Sequence, residues 1–415
     1  MDEERAKKPA WFGLSRNVIA MGAVSFLNDL SSEMIFPFIP IFLTSVLGTS
    51  ISFVGLVEGF ADATASVVKI ISGRYSDIIK RRKPFVVFGY GLSAIAKPFL
   101  SFATAPWHVL GVRFVDRVGK GTRDAPRDAL ISLSCQKKDV GRAFGFHRGA
   151  DTLGAAAGPL LAFFILPAIH NNLRTLFLFS FFASACAVFI LTIFVREVFG
   201  QTQKSEHARF SADRNMLPQN TKFRISSLGM PFLIFLAAST VFSLGRASDA
   251  FLLLRAQSVG VALVLIPIIY FSYNITYALL STPAGILSDR IGHRNTFMIG
   301  MAIFSLTYLL FAQVTSSTTI WFVFVIYGFF GAFTEGVGRA IVADLVKEEW
   351  RGSAYGVYNA CTGLALLPGS VIFGVLWDMR GPAASFQYGA ALGSMALIIF
   401  LFLRITNRRA QSVSL

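Results

Sequence analysis

The 415-residue sequence is 54% hydrophobic and only 15% charged, and it carries 42 Phe. A water-soluble chain holds about 25% charged residues, so this composition excludes a soluble globular protein and implies an all-α integral membrane protein. The formal net charge of +15 raises nucleic acid as a partner, which the placement of the basic residues then argues against.

Residues 1–17 are charged and lack an apolar core. They read as a cytoplasmic segment, not as a cleavable signal peptide. Runs of about 20 apolar residues, enough to cross ~30 Å of hydrocarbon, follow near 18–45, 51–76, 84–104, 107–132, 141–166, 174–195, 230–255, 262–288, 296–314, 319–345, 352–378 and 384–404. These are spans one to twelve. Residues 18–195 and 230–404 are expected to form two six-helix bundles. Between them, 196–229 is polar, mixed in charge and poor in aromatics, as a flexible cytoplasmic linker would be. Residues 405–415 read as a cytoplasmic tail. With both termini in the cytoplasm, 25 Lys and Arg fall on that side, against Arg174, Arg255 and Arg380 on the other. That is the positive-inside bias of a multi-pass protein, expected here in a bacterial inner membrane. It absorbs most of the basic surplus and leaves nucleic acid without a role.

More than three positions from a span end, ten basic and ten acidic residues fall inside the spans. Each would cost about 2.5–3.5 kcal/mol if it faced lipid at mid-membrane. Away from the span ends they must therefore pair or line a wet cavity. Span one places Asp29 and Glu33 at i and i+4, on one helix face. Two acids so close in a low dielectric resist double ionisation, which suits a reversible proton carrier. Pairing with span-four arginines is the structural alternative. Span two repeats the spacing with Glu58 and Asp62, and Lys69 lies seven residues on. Span four is the densest: Arg113, Asp116, Arg117, Lys120, Arg123, Asp124, Arg127 and Asp128 draw one continuous stripe. The stripe either lines the bundle interior or forms a salt-bridge ladder, and Pro126 is placed to kink it. Span five holds His147, Arg148 and Asp151, then Gly154 and Gly158, whose spacing lets helices approach closely, and Pro159. In the second half, Arg246 and Asp249 (i, i+3) and Glu335 and Arg339 (i, i+4) are each spaced to neutralise themselves.

Nothing in the sequence points to catalysis. Cys135, Cys186 and Cys361 are far apart and match no metal spacing. Gly119-Lys120-Gly121-Thr122 lacks the upstream glycine of a phosphate-binding loop. Neither a metal nor a cofactor is expected, and the expected partners are the lipid bilayer, a small-molecule solute and protons.

One phrase occurs twice, 212 residues apart. Gly73-Arg74-Tyr75-Ser76-Asp77, followed by Lys80, Arg81, Arg82 and Lys83, returns as Gly285-Ile286-Leu287-Ser288-Asp289-Arg290-Ile291-Gly292-His293-Arg294. A basic turn repeated at that distance implies a duplicated unit of six spans, an arrangement used mostly by transporters. These residues resemble the major facilitator superfamily, over essentially the whole chain. The family's loop signature is G-x-x-x-D-R-x-G-R-R. The second copy fits it well, whereas the first has Ile78 in place of the arginine and Lys80 in place of the glycine. The resemblance implies that these loops stabilise an outward-open state through Asp–Arg and helix-end contacts. Gly154 to Pro159 resembles the G-x-x-x-G-P motif of proton-coupled exporters, with Ala162 where a glycine is usual. The family's R-x-x-Q-G motif fits span four in two frames, at Arg117-x-x-Lys120-Gly121 and, by depth, at Arg113-x-x-Asp116.

The expected function is secondary transport by alternating access, proton-coupled, with efflux of a small organic solute by a monomer. Asp29, Glu33 and Asp62 are the candidates for proton coupling. Arg113, Asp116, Arg117, Lys120, Arg148, Asp151, Arg246 and Glu335 are the candidates for the substrate cavity. The alternative is an uptake permease for an anionic or polar nutrient such as a sugar phosphate, organic acid or chelated metal. A membrane sensor is the distant alternative.

Overall fold

The computed structural model describes residues 9–11, 14–136, 139–198, 228–346 and 350–412. Most of the expected linker, 199–227, lies outside the described residues, as do 1–8, 12–13 and 413–415 at the ends.

Among the described residues, eleven helices are long and apolar enough to cross a membrane. In chain order they are span one (Arg16–Val46), two (Ile51–Ile79), three (Lys83–Phe102), five (Val140–Ala168), six (Leu173–Phe194), seven (Met230–Ser258), eight (Leu263–Ile291), nine (His293–Gln313), ten (Thr319–Leu345), eleven (Ser353–Arg380) and twelve (Pro382–Leu401). Span four is the helix Pro106–Leu133. At 1.5 Å per residue it is about 42 Å long, and only its charged stripe separates it from the others. Pro126 sits inside this helix without ending it. The last helix continues through Ser412, past the expected end of span twelve at 404.

Three local features depart from the expected pattern. Pro9–Trp11 (β1) pairs antiparallel with Leu14–Ser15 (β2), just before Ser15 caps span one through Val18 N. Span one is regular only over Arg16–Ile35. Beyond it, Pro37 and Pro40 withhold backbone donors, and the chain passes through a 3-10 turn and a π-turn. Span seven was expected as one run over 230–255, but it breaks into Met230–Gly245 and Ala250–Ser258. The break holds Arg246 and Asp249. Unwound backbone at membrane depth is tolerated where it is buried in protein or lines a cavity.

The two halves pack alike. Span one lies on spans five and six, and span four packs on spans two and three. Correspondingly, span seven lies on spans eleven and twelve, and span ten packs on spans eight and nine. Across the halves, span two packs on span eleven and span five on span eight. We call the end with the turns at 80–82, 134–136 and 292 the basic end. The other end carries 47–50, 103–105, 169–172 and 314–318.

The second half is filled by rings. Phe242, Phe304, Tyr308, Phe311, Tyr327, Phe330, Phe373 and Phe386 are buried and meet at centroid distances such as 4.7 Å for Phe242–Phe304 and 5.0 Å for Phe373–Phe386. Aromatic contacts at such separations add to plain area burial. The first half relies on small residues instead. Gly89 and Gly119 face each other's carbonyls across spans three and four, and Gly121 meets Val68 and Ala65 of span two. The glycines flanking Lys120 are thus helix contacts, not a phosphate loop.

Candidate functional site

Span one is positioned by span five. A Cβ on Gly154 would run into the Phe26 carbonyl, and one on Gly158 would meet Leu30 O at 2.7 Å and Met34 N at 2.8 Å. Backbone contact at these two points sets the rotation of span one. Ser25, one turn earlier, donates to Asp151 of span five. Asp29 and Glu33 then face the first-half charges. Asp29 lies in the field of Asp151, Lys120 and Arg123 and accepts from Asn28 Nδ2 at 3.1 Å. Glu33 lies in the field of Asp29, Lys120 and Arg117, with Tyr270 of span eight beside it. Its Oε2 is buried without a hydrogen-bond partner.

The span-four stripe divides into two sets. Arg113 is 5% exposed and donates to Glu58, itself 1% exposed, at 2.6 Å. It also reaches Asp116 at 3.9 Å and lies 5.8 Å from the Phe36 ring. Arg123 lies over Tyr90 at 4.4 Å and donates to Ser93 at 2.8 Å. Arg127 pairs with Asp128 at 3.0 Å and with Asp124 at 3.9 Å. Arg113 and Arg127 are thus held by carboxylates, and Arg123 by a ring and a hydroxyl. The second set is uncommitted. Arg117 and Lys120, like Asp29, Glu33 and Asp62, make no salt bridge within 4.0 Å among the described residues. Arg117 feels Asp116, Asp62, Glu58 and Glu33.

On the second half, the sequence spacing does not decide the pairing. Arg246 turns from Asp249 to Glu335 of span ten, at 3.4 Å. Asp249 accepts from Tyr327 at 3.0 Å. Glu335 also accepts from Tyr277 at 2.9 Å, and Arg339 makes no ion pair among the described residues. The break in span seven removes the i, i+3 helical geometry that self-pairing needed. Tyr277 also lies beside Arg148 of span five, which is 3.8 Å from Asp151. A polar chain Asp151–Arg148–Tyr277–Glu335–Arg246 therefore crosses the halves. Phe36 and Tyr270 cross them again, ring to ring, at 5.6 Å.

A cavity of about 630 Å³ lies towards the basic end. Lys69, Arg246, Glu335, Arg339, Asn359 and Thr362 supply its main polar lining. The opposite end is shut. Asp378 of span eleven accepts from Ile51 N at 3.0 Å and Ser52 N at 2.8 Å, at the start of span two. Gln257 donates to Ser45 at 3.1 Å. Gly55, Gly59 and Gly374 bring the backbones of spans two and eleven into contact.

The repeated turns differ in detail. Asp77 pairs with Arg82 at 3.4 Å, so Arg82 takes the place of the arginine that Ile78 displaces. Glu197 accepts from the backbone N–H groups of Arg82 (3.1 and 3.0 Å) and Lys83 (2.9 Å), fixing the start of span three. Lys80 occupies the left-handed region at φ 58°, where the second copy has Gly292 at φ 91°. Gly73 packs on Ala125, while Arg81, Asp289 and Arg290 are exposed and Gly285 faces open space. Arg294 lies in the field of Asp344. His293 joins Ser288 at 2.8 Å and Asp344 at 3.9 Å. Pro159 is buried within span five.

Several residues stand out only in three dimensions. Lys97 is 3% exposed and donates to Ser31 at 2.9 Å and Ser184 at 2.8 Å. A cavity of about 20 Å³ adjoins it, lined also by Arg113 and Asp116. Its signal in the sequence was a lone lysine in an apolar run. The signal for Tyr270, Tyr273 and Tyr277 was their i, i+3, i+7 spacing in span eight. Among the described residues no three His, Cys, Asp or Glu could hold a metal.

Comparison with known proteins identifies the family and the fold. The sequence model of the Major Facilitator Superfamily matches residues 21–254 and 232–414. An uncharacterized MFS-type transporter of Methanocaldococcus jannaschii is 35% identical over 404 residues, covering 94% of this chain and 95% of the relative. The class E tetracycline resistance protein of Escherichia coli is 29% identical over 159 residues, covering 38% of this chain and 37% of its own. Among solved structures, a POT family transporter in complex with a thioalcohol-conjugated peptide superposes with TM-score 0.78 at 14% identity, covering 99% of each chain. At that identity the likeness concerns the fold alone.

Proposed function

We propose that this chain, which belongs to the major facilitator superfamily of membrane transporters, is a proton-coupled exporter of a small organic solute. It is a multi-pass, non-enzymatic membrane transporter acting on small molecules. The finer reading adds the coupling ion, the direction and the moving parts. Residues 18–195 and 230–404 rock as two bodies around the interface between them. Both termini face the cytoplasm of a bacterial inner membrane, as the positive-inside count supports, and the protein works as a monomer.

The observation that carries proton coupling is the setting of Glu33. It stands one turn from Asp29, beside Tyr270 of the other half, with one carboxylate oxygen buried and unpartnered. Arg117 and Lys120 are the nearby cations not committed elsewhere. When the site faces the acidic side, a proton neutralises one carboxyl of the pair. When the halves rock, Arg117 and Lys120 compete for the carboxylate and release that proton. Asp62, in the field of Asp249 across the interface, is a second station. Export is supported by the Gly154–Pro159 motif and by partial similarity to a tetracycline resistance protein.

Everted membrane vesicles test this reading. Solute accumulation driven by respiration is expected to collapse with a protonophore and to fall at least tenfold in Asp29→Asn and Glu33→Gln. Accumulation insensitive to both treatments refutes proton coupling. Accumulation by right-side-out vesicles instead refutes export and favours uptake.

A further inference from the structure

We infer that the solute is an organic anion, held by its carboxylate or phosphate between Lys69 and Arg339 in the cavity at the basic end. This rests on the transporter reading above and deepens it.

Away from the span ends, ten acids balance ten bases, so their count gives no sign of the solute's charge. The cavity is not balanced. Its charged lining is Lys69, Arg246 and Arg339 against Glu335 alone. Glu335 is already engaged by Arg246 at 3.4 Å and by Tyr277 at 2.9 Å. Arg339 makes no ion pair among the described residues. Lys69 is 4.0 Å from Asp124, and Asp124 is shared with Arg127. Two cations are thus left under-compensated around one space. Both side chains are exposed to that space, so an entering anion meets them directly and gains their attraction as it displaces water.

The remaining lining says what else the anion carries. Phe242, Phe297 and Tyr358 offer ring surface, and Ser243, Asn359 and Thr362 offer hydrogen bonds. About 630 Å³ lies within the range of pockets that enclose small organic ligands. An acid with an apolar or aromatic body fits this lining, whereas bare inorganic phosphate would leave most of it empty. Arginine suits either oxyanion because its planar fork donates two parallel bonds.

The position of the two cations gives the anion a mechanical role. Lys69 belongs to span two of the first half and Arg339 to span ten of the second. An anion bound to both draws the halves together at the basic end and opposes the closed contacts at the other end. Loading would thereby favour the change of access.

The test is binding to purified, delipidated full-length protein in neutral detergent, read as thermal stabilisation. The probes are aromatic carboxylates, their primary amides, aryl phosphomonoesters, inorganic phosphate, a quaternary ammonium compound and phosphatidylglycerol. At least one aromatic carboxylate or phosphomonoester is expected to raise the midpoint in a saturable way, while its neutral counterpart does not. Apparent affinity is expected to fall tenfold or more in Arg339→Gln and in Lys69→Gln. Partial retention in Arg339→Lys guards against a folding defect. Equal stabilisation by amides or by the quaternary ammonium compound overturns the anion class and leaves proton-coupled export standing. Stabilisation by inorganic phosphate alone, by phosphatidylglycerol alone, or by nothing in the panel also overturns it. Proton-coupled export fails separately, if vesicle accumulation ignores the protonophore while anion binding persists.

Discussion

Asp378 is the most direct handle on the closed end of the molecule. Its carboxylate receives the Ile51 and Ser52 N–H groups at 3.0 and 2.8 Å, so span eleven caps the start of span two across the halves. Two charge-assisted bonds and the helix dipole all favour this contact. The residue is exposed, and solvent screening reduces the sum to about 1–2 kcal/mol. Ser50 still caps the same helix through Phe53 N at 3.3 Å, so Asp378→Ala should weaken the contact between halves without unravelling span two. The ratio of states closed at this end to states open there is then expected to drop by a factor of about 5–30. Spin labels at Val46→Cys and Leu265→Cys, both at exposed positions, report that distance once Cys135, Cys186 and Cys361 are replaced by Ser. The expected result is a second, longer distance peak in Asp378→Ala and a smaller one in Asp378→Asn, which keeps one acceptor. A distribution unchanged by Asp378→Ala would refute the assignment of this contact as an inter-half latch.

Two further substitutions follow from local geometry. Gly158→Val forces a side chain against Leu30 O and Met34 N and is expected to cost about 1–3 kcal/mol. A lower unfolding midpoint in detergent, together with lost transport, is the readout, and an unchanged midpoint would contradict the packing account. Lys80 holds a left-handed conformation at φ 58°, so Lys80→Gly is expected to relieve about 1 kcal/mol of strain. The midpoint should rise slightly, and a fall would show that the Lys80 side chain contributes more than its backbone costs.

The spans, their number and the crowding of charge into the first half could be read from composition and periodicity, because lipid imposes one length and one polarity on every crossing. The Gly154–Gly158 contact was also legible, since small residues four apart have few other uses in a membrane helix. The ion pairing was not. Helical spacing identifies neighbours within a helix, and so it suggested Arg246–Asp249 and Glu335–Arg339. The actual partners, Arg246–Glu335 and Asp249–Tyr327, lie on different spans. The same limit hid the Glu58–Arg113 bridge, the Lys97–Ser31–Ser184 cluster and the Asp378 cap. The break in span seven was hidden too, because Gly245 to Asp249 carries no proline.

The central claim is that the Asp29–Glu33 pair exchanges a proton for each cycle of solute movement. Purified protein in liposomes carrying an interior pH dye tests it most directly. With a pH gradient imposed, adding the solute found by thermal shift is expected to accelerate proton flux through the unsubstituted protein. In Asp29→Asn/Glu33→Gln that acceleration should vanish, while binding measured by thermal shift persists. Solute-dependent proton flux that survives the double substitution would contradict the account.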